Sequence, residues 1–139
     1  MIIADKGPFV ALFHKRDRFH TTVRKAFCQS SEPLVTTYPV ISETCYLLSQ
    51  QANLATERAF LKAMTSEVVQ IFPLQLSHLD RMRLLMEKYE DLPMDLADAS
   101  LVVLAEELGH GRIFTLDRRD FDVYRWRDTQ AFTNILLYK

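Results

Sequence analysis

Hydrophobic positions along the chain follow two alternating patterns. Short runs rich in β-branched and aromatic residues predict five β-strands, at residues 2–5, 34–37, 68–72, 112–116 and 133–137. Between them, apolar residues recur with a helical period and predict helices at residues 7–13, 17–29, 39–50, 56–65, 77–89 and 95–108. Strands that alternate with helices of this length favour a mostly parallel sheet with helices on both faces. The predicted fold class is therefore α/β.

The chain is predicted to form one domain. It has 139 residues, of which 48% are hydrophobic, and no repeat or linker rich in Pro, Gly or Ser divides it. We therefore expect a single domain over residues 1–139. Cys28 and Cys45 form no paired-cysteine motif and no signal-peptide pattern opens the sequence, so we expect free thiols and a cytoplasmic protein. A disulfide between the two cysteines is the alternative.

Charge and hydropathy narrow the class of partner. No apolar run reaches the roughly 18 residues that a membrane-spanning helix requires, so no membrane partner is expected. The formal net charge of −1 argues against a large basic surface that binds nucleic acid by electrostatics alone. Basic residues do cluster within residues 15–25 and 112–127. These clusters could hold phosphates beside an acidic centre, or they could simply be solvated.

The last predicted helix carries two carboxylates at its start. Leu101, Leu104 and Leu108 mark one apolar stripe at helical spacing. Asp98 lies three residues before Leu101, so it is predicted to face the protein interior, whereas Asp95 lies on the margin of the stripe. A buried carboxylate requires a partner, because an unpaired buried charge has a raised pKa or costs several kcal/mol.

Three further acids stand at or near strand ends. Asp5 closes the first predicted strand, Asp117 follows the fourth, and Glu43 lies in the first turns of the helix after the second. Because the carboxyl ends of parallel strands meet at one edge of a sheet, we expect these acids to converge there with Asp98. Carboxylates without an accompanying His or Cys suit Mg²⁺ or Mn²⁺. Such an ion activates water and polarises a phosphoryl oxygen, which is the chemistry of phosphodiester hydrolysis.

Each carboxylate also has a local explanation that the sequence leaves open. Asp95 and Asp98 could cap the helix start by accepting hydrogen bonds from its free amides. The remaining acids could be turn, cap or solvated helix residues: Asp5, Glu43, Asp117 and Asp120. The histidines are not needed for metal-dependent hydrolysis, and surface or local hydrogen bonding is favoured for all four: His14, His20, His78 and His110.

Four segments of the chain resemble a known family. They are D-K-G-P-F-V-A-L-F from Asp5, I-S-E at Glu43, L-A-D-A-S-L around Asp98, and I-F-T-L-D-R-R-D-F ending at Phe121. Together they resemble the PIN-domain nucleases, specifically the small VapC-like toxins of type II toxin–antitoxin pairs, over nearly the whole chain. The resemblance implies a three-layer α/β/α fold around a five-stranded sheet, one or two Mg²⁺ or Mn²⁺ ions, and endonucleolytic cleavage of RNA.

The resemblance also implies roles for individual residues. Asp5 and Asp98 match the principal metal ligands of the family. Glu43 matches a glutamate that helps to hold metal or orient water, and Asp117 matches the fourth acid, so that these four form the implied catalytic set. Two further residues are implied to support them: Thr115, the hydroxyl residue near the fourth acid, and Asp95.

One position departs from the family pattern. Many relatives place Thr or Ser after the first Asp, whereas this chain has Lys6. An ammonium group there could contact a substrate phosphate, but a solvated side chain is the interpretation favoured by the sequence. Tyr124 and Trp126, which lie between arginines, could stack on an unpaired base, but anchoring the C-terminal segment is favoured.

The resemblance implies partners as well as chemistry: an RNA substrate, a cognate antitoxin and a second copy of the chain. The helix at residues 56–65 has an apolar stripe formed by Ala59, Phe60, Ala63 and Met64. Core packing is its default explanation, and a groove for an apolar antitoxin helix is the alternative. Two rival functions also stay open, namely another Mg²⁺-dependent phosphohydrolase and a non-catalytic PIN-like scaffold that binds RNA or protein.

Overall fold

The five predicted strands form one parallel sheet. A computed structural model describes the backbone of residues 1–138 and the side chains of residues 1–136. The strands of the sheet are β1 (Ile2–Ala4), β2 (Leu34–Thr36), β3 (Val69–Ile71), β4 (Arg112–Phe114) and β7 (Thr133–Asn134). The sheet has the order β3-β2-β1-β4-β7, and each neighbouring pair is parallel. The α/β fold class predicted from the sequence is confirmed.

Helices connect the strands of this sheet. They are α1 (Lys6–Phe13), α2 (His20–Gln29), α3 (Tyr38–Gln51), α4 (Leu54–Met64), α5 (Leu76–Lys88), α6 (Leu96–Leu108) and α7 (Arg118–Val123). Every residue of β1 and β2 is buried, which is the pattern of strands covered on both faces. Residues 97–105 of α6 are also buried without interruption, so this helix lies inside the molecule. None of the helices within residues 1–138 has the length and apolar character to cross a bilayer.

Several element boundaries differ from the prediction, for local reasons. The helix predicted from Asp17 begins at His20, because the Asp17 carboxylate accepts a hydrogen bond from the Phe19 amide in a turn. The helix predicted from Thr56 begins at Leu54, because Asn53 caps it by accepting from the Thr56 amide. The strand predicted at 133–137 ends at Asn134, and a 3₁₀ helix follows (Ile135–Tyr138).

Two elements were not predicted from the sequence. One is the short helix α7, which Asp117 caps by accepting from the amide of Asp120. The other is a hairpin of β5 (Arg125–Trp126) and β6 (Gln130–Ala131). Its turn places Arg127 and Asp128 at positive φ, +48° and +64°, without the glycine that usually signals such a turn. This explains why the pattern of residues did not reveal it.

The apolar stripe of α4 belongs to the core. Phe60 and Met64 are buried, and the Phe60 ring lies 5.4 Å from the ring centroids of both Phe9 and Phe13. Core packing is therefore confirmed for these two residues. Ala59 is exposed and Ala63 is half-buried, and a groove for an antitoxin helix at this stripe stays a prediction. Cys28 and Cys45 are free thiols, so the disulfide alternative is wrong as well.

Close packing brings two strand ends together. The first turn of α1 passes the connection from β4 to α7 at Gly7, where an added Cβ would lie 3.2 Å from the Cβ of Leu116. Glycine permits this approach because it carries no side chain. As a result, Asp5 at the start of α1 and Asp117 at the start of α7 lie at the same edge of the sheet, where both line one cavity of about 320 Å³.

Candidate active site

Asp5 is a buried carboxylate at the carboxyl end of β1. It is 1% exposed, and its Oδ1 accepts a hydrogen bond of 2.7 Å from the Lys6 amide. Its Oδ2 accepts a 2.8 Å hydrogen bond from Thr115 Oγ1, which in turn accepts from the amide of Asp117 at 2.9 Å. Burial raises the pKa of Asp5, although the charge of Lys6 partly opposes this. Thr115 thus connects the first of the four predicted acids to the last.

Asp98 is a second buried carboxylate, in the first turn of α6. It is 4% exposed, which confirms the inward orientation predicted from the helical period. Its amide donates to Oδ1 of Asp95, so Asp95 is the helix cap and Asp98 is not. Oδ2 of Asp98 accepts a 3.1 Å hydrogen bond from the Tyr124 hydroxyl, whereas Oδ1 has no partner within the described residues. Burial, then the charges of Asp95 and Asp5, raise the pKa of Asp98 to about 7.

Tyr124 makes a contact with Asp98 that sequence reasoning missed. It follows α7 and is fully buried, with its ring centroid 5.1 Å from those of Phe121 and Tyr89. Burial, followed by the charge of Asp98, raises the pKa of its hydroxyl, so it acts as a hydrogen-bond donor. Anchoring of the C-terminal segment is confirmed for Tyr124, and stacking on a substrate base is wrong for it. Half of the residues in the surrounding segment F-D-V-Y-R-W-R-D are charged, so its pattern did not signal that the Tyr124 hydroxyl makes a buried polar contact.

The structure contradicts the solvated interpretation of Lys6. Its side chain is 23% exposed, and its Nζ lies 3.9 Å from Oδ2 of Asp95. Burial disfavours the charged ammonium, but the carboxylates of Asp5, Asp98, Asp95 and Glu43 outweigh that cost and raise its pKa. The side chain therefore lies among the acids. The position of Lys6 directly after Asp5 does not reveal this orientation, because a side chain at the start of a helix can point toward solvent or toward the protein.

The other predicted acids surround this centre more loosely. Glu43 is half-buried on α3, near enough for its charge to act on Lys6. Asp117 is half-buried and caps α7, so its local role as a cap is real. Asp120 is a further acid here, because burial and then its contact with Asp117 raise its pKa. Within residues 1–136, no three His, Cys, Asp or Glu side chains close on a common point as metal ligands do.

The residues nevertheless fit a hard divalent cation. The candidate ligands are all carboxylate oxygens, which Mg²⁺ and Mn²⁺ prefer. The unpartnered Oδ1 of Asp98 is an unusual feature, since nearly all buried polar atoms find a hydrogen bond. A cation beside Asp98 and Asp5 would satisfy that atom and offset the repulsion between the two carboxylates.

Three of the four histidines make local contacts, as expected. His20 Nδ1 lies 2.7 Å from the Ala11 carbonyl oxygen, and His78 Nε2 lies 3.0 Å from Glu107 Oε1. His110 Nδ1 accepts from the Arg112 amide at 3.2 Å. These three contacts lie outside the cavity of the acids.

Comparisons with known proteins identify the family. The family model of the PIN domain matches residues 2–126, which include all four predicted acids. The chain belongs to the PIN domain family. This PIN domain is 27% identical over 124 residues to Ribonuclease VapC26 of Mycobacterium tuberculosis, covering 89% of this chain and 92% of the relative. The resemblance to VapC proteins carried by the four sequence segments is thereby confirmed.

A solved structure supports the fold independently. The crystal structure of Mycobacterium tuberculosis VapC20, described as a toxin that cleaves the sarcin–ricin loop, superimposes with a TM-score of 0.80. The match covers 86% of this chain and 92% of VapC20, at 17% sequence identity. At that identity the likeness establishes a common fold, the three-layer α/β/α arrangement expected of a PIN domain.

Proposed function

We propose that this PIN domain is a Mg²⁺- or Mn²⁺-dependent endoribonuclease and the toxin of a type II toxin–antitoxin pair. The observation that carries the proposal is the buried Asp98, with an oxygen that lacks any described partner, beside the buried Asp5 at the carboxyl edge of the sheet. Two buried neighbouring carboxylates with raised pKa values are costly for folding and are typical of functional sites. The names of the relatives, a ribonuclease and a toxin, support the same chemistry.

The proposed roles follow from the contacts of each residue. Asp5 and Asp98 would hold the metal, with Glu43 and Asp117 completing the acidic surroundings or orienting water. When bound, the metal supplies an activated water and polarises the phosphoryl oxygen of the RNA. Thr115 fixes the rotation of the Asp5 carboxylate through its 2.8 Å hydrogen bond. Tyr124 fixes Asp98 in the same way and leaves Oδ1 free.

A neighbouring cavity supports a nucleic acid substrate. It has a volume of about 520 Å³ and shares Gln51 with the cavity of the acids. His14, Lys15 and Arg16 line it, and the two cations are exposed and form no ion pair with any described residue. Unpaired cations next to an acidic centre suit the phosphates that flank a scissile bond. An RNA strand that crosses both cavities therefore fits the charges better than a small substrate does.

We also propose a protein partner, an oligomeric state and a cellular location. A toxin of this kind requires a cognate antitoxin. A homodimer and a cytoplasmic location are further predictions, testable by sedimentation of the purified protein and by fractionation of cells.

Cleavage of a structured RNA tests the proposal directly. The wild-type protein is incubated with RNA in Mn²⁺, in Mg²⁺ and in EDTA, beside Asp5→Asn and Asp98→Asn. We expect each substitution to lower cleavage by about 10²–10³-fold, because it removes a charge that holds the metal. Asp80→Asn is the matched control, since Asp80 is an exposed acid on α5 whose ion pair among the described residues is with Arg83.

Three outcomes would contradict the proposal. Cleavage in EDTA would show that the reaction does not require a divalent metal. Equal cleavage by all variants would show that Asp5 and Asp98 do not have the proposed roles. RNA binding without cleavage by the wild-type protein would favour a non-catalytic scaffold. Growth arrest on expression in bacteria, relieved by the same two substitutions, is the expected result for a toxin.

A further inference from the structure

The ammonium group of Lys6 lies among the acids of the site. Its ammonium lies 3.9 Å from Asp95, and the charges of Asp5, Asp98 and Glu43 also act on it. These acids come from three different segments of the chain, namely the end of β1, α3 and the start of α6. Lys6 is thus a shared neighbour of the carboxylates rather than one half of a simple pair.

The other contacts of the two buried acids carry no full charge. Asp5 accepts hydrogen bonds from a backbone amide and from the Thr115 hydroxyl, and Asp98 accepts one from the Tyr124 hydroxyl. Lys6 lines the same cavity as Asp5, and its Nζ lies 3.9 Å from Oδ2 of Asp95, the cap of the helix that carries Asp98. Buried carboxylates are strongly destabilising without a compensating positive charge. In the metal-free protein, the charge of Lys6 therefore performs the neutralisation that a divalent ion would perform.

We infer that Lys6 is an internal counter-ion that competes with the divalent metal and so sets the metal concentration at which the site is loaded. The inference rests on the proposed function, because it assumes that the same carboxylates hold the metal. Two cations cannot occupy one small acidic pocket without strong repulsion. The long flexible side chain of lysine allows its ammonium to move toward solvent when the metal enters.

The position of Lys6 in the family pattern sharpens this inference. The chain resembles proteins that commonly place a hydroxyl residue at this point, and a hydroxyl carries no charge to displace. Lys6→Thr therefore restores a neutral site, while Lys6→Met removes the charge but keeps an unbranched side chain of similar length. Lys6→Arg keeps the charge. Lys62→Met is the matched control, because Lys62 is exposed in the last turn of α4 and does not line the cavity of the acids.

Binding of Mn²⁺, measured by titration calorimetry without RNA, tests the inference. We expect Lys6→Thr and Lys6→Met to tighten Mn²⁺ binding about 10–100-fold relative to the wild type. Lys6→Arg and Lys62→Met should bind Mn²⁺ within about twofold of the wild type. In EDTA, Lys6→Met should lower the melting temperature by about 3 °C or more relative to Lys62→Met, because the acids lose their counter-ion.

The possible failures separate this inference from the proposed function. If the wild type and Lys6→Thr bind Mn²⁺ equally, or if Lys6→Thr binds it more weakly, the competition is overturned while the metal site stands. If neither protein binds Mn²⁺ or Mg²⁺, the metal-dependent nuclease and the competition are both overturned. An unchanged melting temperature of Lys6→Met in EDTA would overturn the role of Lys6 as counter-ion, whatever the metal result.

Discussion

Charged residues are treated in opposite ways in two regions of this molecule. On the surface where α5, α6 and the β5–β6 hairpin meet, Arg81 donates to both carboxylate oxygens of Glu106, at 3.0 and 2.8 Å, and also to Asp128 at 3.1 Å. Lys88 adds a second contact to Asp128. In the second region, at the carboxyl edge of the sheet, Asp5 and Asp98 are almost fully buried, and the charge of Lys6 acts on both.

The pKa values record this difference. Hydrogen bonding to Arg81 lowers the pKa of Asp128, and hydrogen bonding to Glu106 raises that of Arg81, so the fold favours both charges. Burial raises the pKa values of Asp5 and Asp98, so the fold disfavours the negative charges of these two residues. The first region supports stability, while the second holds charge at a cost that folding alone does not explain. Substitutions in the two regions should therefore separate stability from activity.

The largest expected effect on stability is a pH dependence that originates in the second region, at Asp98. The pKa of Asp98 is about 7 in the folded protein, against 3.8 for a free aspartate side chain. Between these pH values the folded protein holds a proton that the unfolded chain has released, so the free energy of unfolding falls as the pH rises. Full ionisation costs the metal-free protein on the order of a few kcal/mol.

Denaturant unfolding in EDTA at pH 5 and pH 8 measures this cost. The wild type should lose more stability between the two pH values than Asp98→Asn does. Part of the pH dependence of stability should remain in Asp98→Asn, because burial also raises the pKa of Asp5. Identical slopes for the two proteins would show that Asp98 ionises normally and would remove the contrast between the two regions.

The next effect concerns the donor to Asp98. Tyr124→Phe removes its hydrogen bond, so we expect stability at pH 8 to fall by about 1–3 kcal/mol. At pH 5 the loss should be smaller, because Asp98 is then mostly protonated. RNA cleavage should fall about tenfold or more as the carboxylate loses its fixed orientation.

Tyr89→Phe is the matched control for Tyr124→Phe. The hydroxyl of Tyr89 accepts from the Arg125 amide, and the two rings lie 5.1 Å apart, so a similar contact is lost without touching an acid. RNA cleavage by Tyr89→Phe should match the wild type. Equal loss of cleavage in both variants would mean that Tyr124 acts only through packing.

The smallest effect is expected in the paired region. Glu106→Gln weakens the two contacts with Arg81 and the one from the Arg127 amide, so stability should fall by about 1–2 kcal/mol. RNA cleavage should be unchanged, because Glu106 does not line the cavity of the acids. Glu107→Gln should be closer to the wild type, because the Glu107 side chain is half exposed and its contact among the described residues is with His78. A loss of cleavage in Glu106→Gln would contradict the separation of the two regions.

The sequence predicted the sheet well because its signals are local. Five apolar runs correspond to five strands, and the parallel arrangement followed from the helices between them. The inward orientation of Asp98 was also predictable, since a helix period fixes direction over three residues. Strand ends were overextended by one to three residues. At the last strand the reason is that the apolar run continues through Ile135 and Leu136, past the last residue that pairs in the sheet.

The contacts of the site were not predictable in the same way. Tyr124 reaches Asp98 across 26 positions of the chain, and Thr115 reaches Asp5 across 110. Local pattern carries no information about such pairs. The resemblance placed Thr115 near the fourth acid but did not provide its hydrogen bond to Asp5. The solvated interpretation of Lys6 was wrong for the same reason, since its direction depends on where Asp95 and Glu43 come to lie.

The arrangement of Asp5 and Asp117 depends on the absence of a Cβ atom at Gly7. Its backbone rests against the side chain of Leu116, and an added methyl group would meet the Leu116 Cβ at 3.2 Å. A larger residue would act as a wedge between the two strand ends and widen the gap from Asp5 to Asp117. The distance between the carboxylates therefore depends on a residue without a side chain. An uncharged substitution of Gly7 would lower activity although every acid of the site is still present.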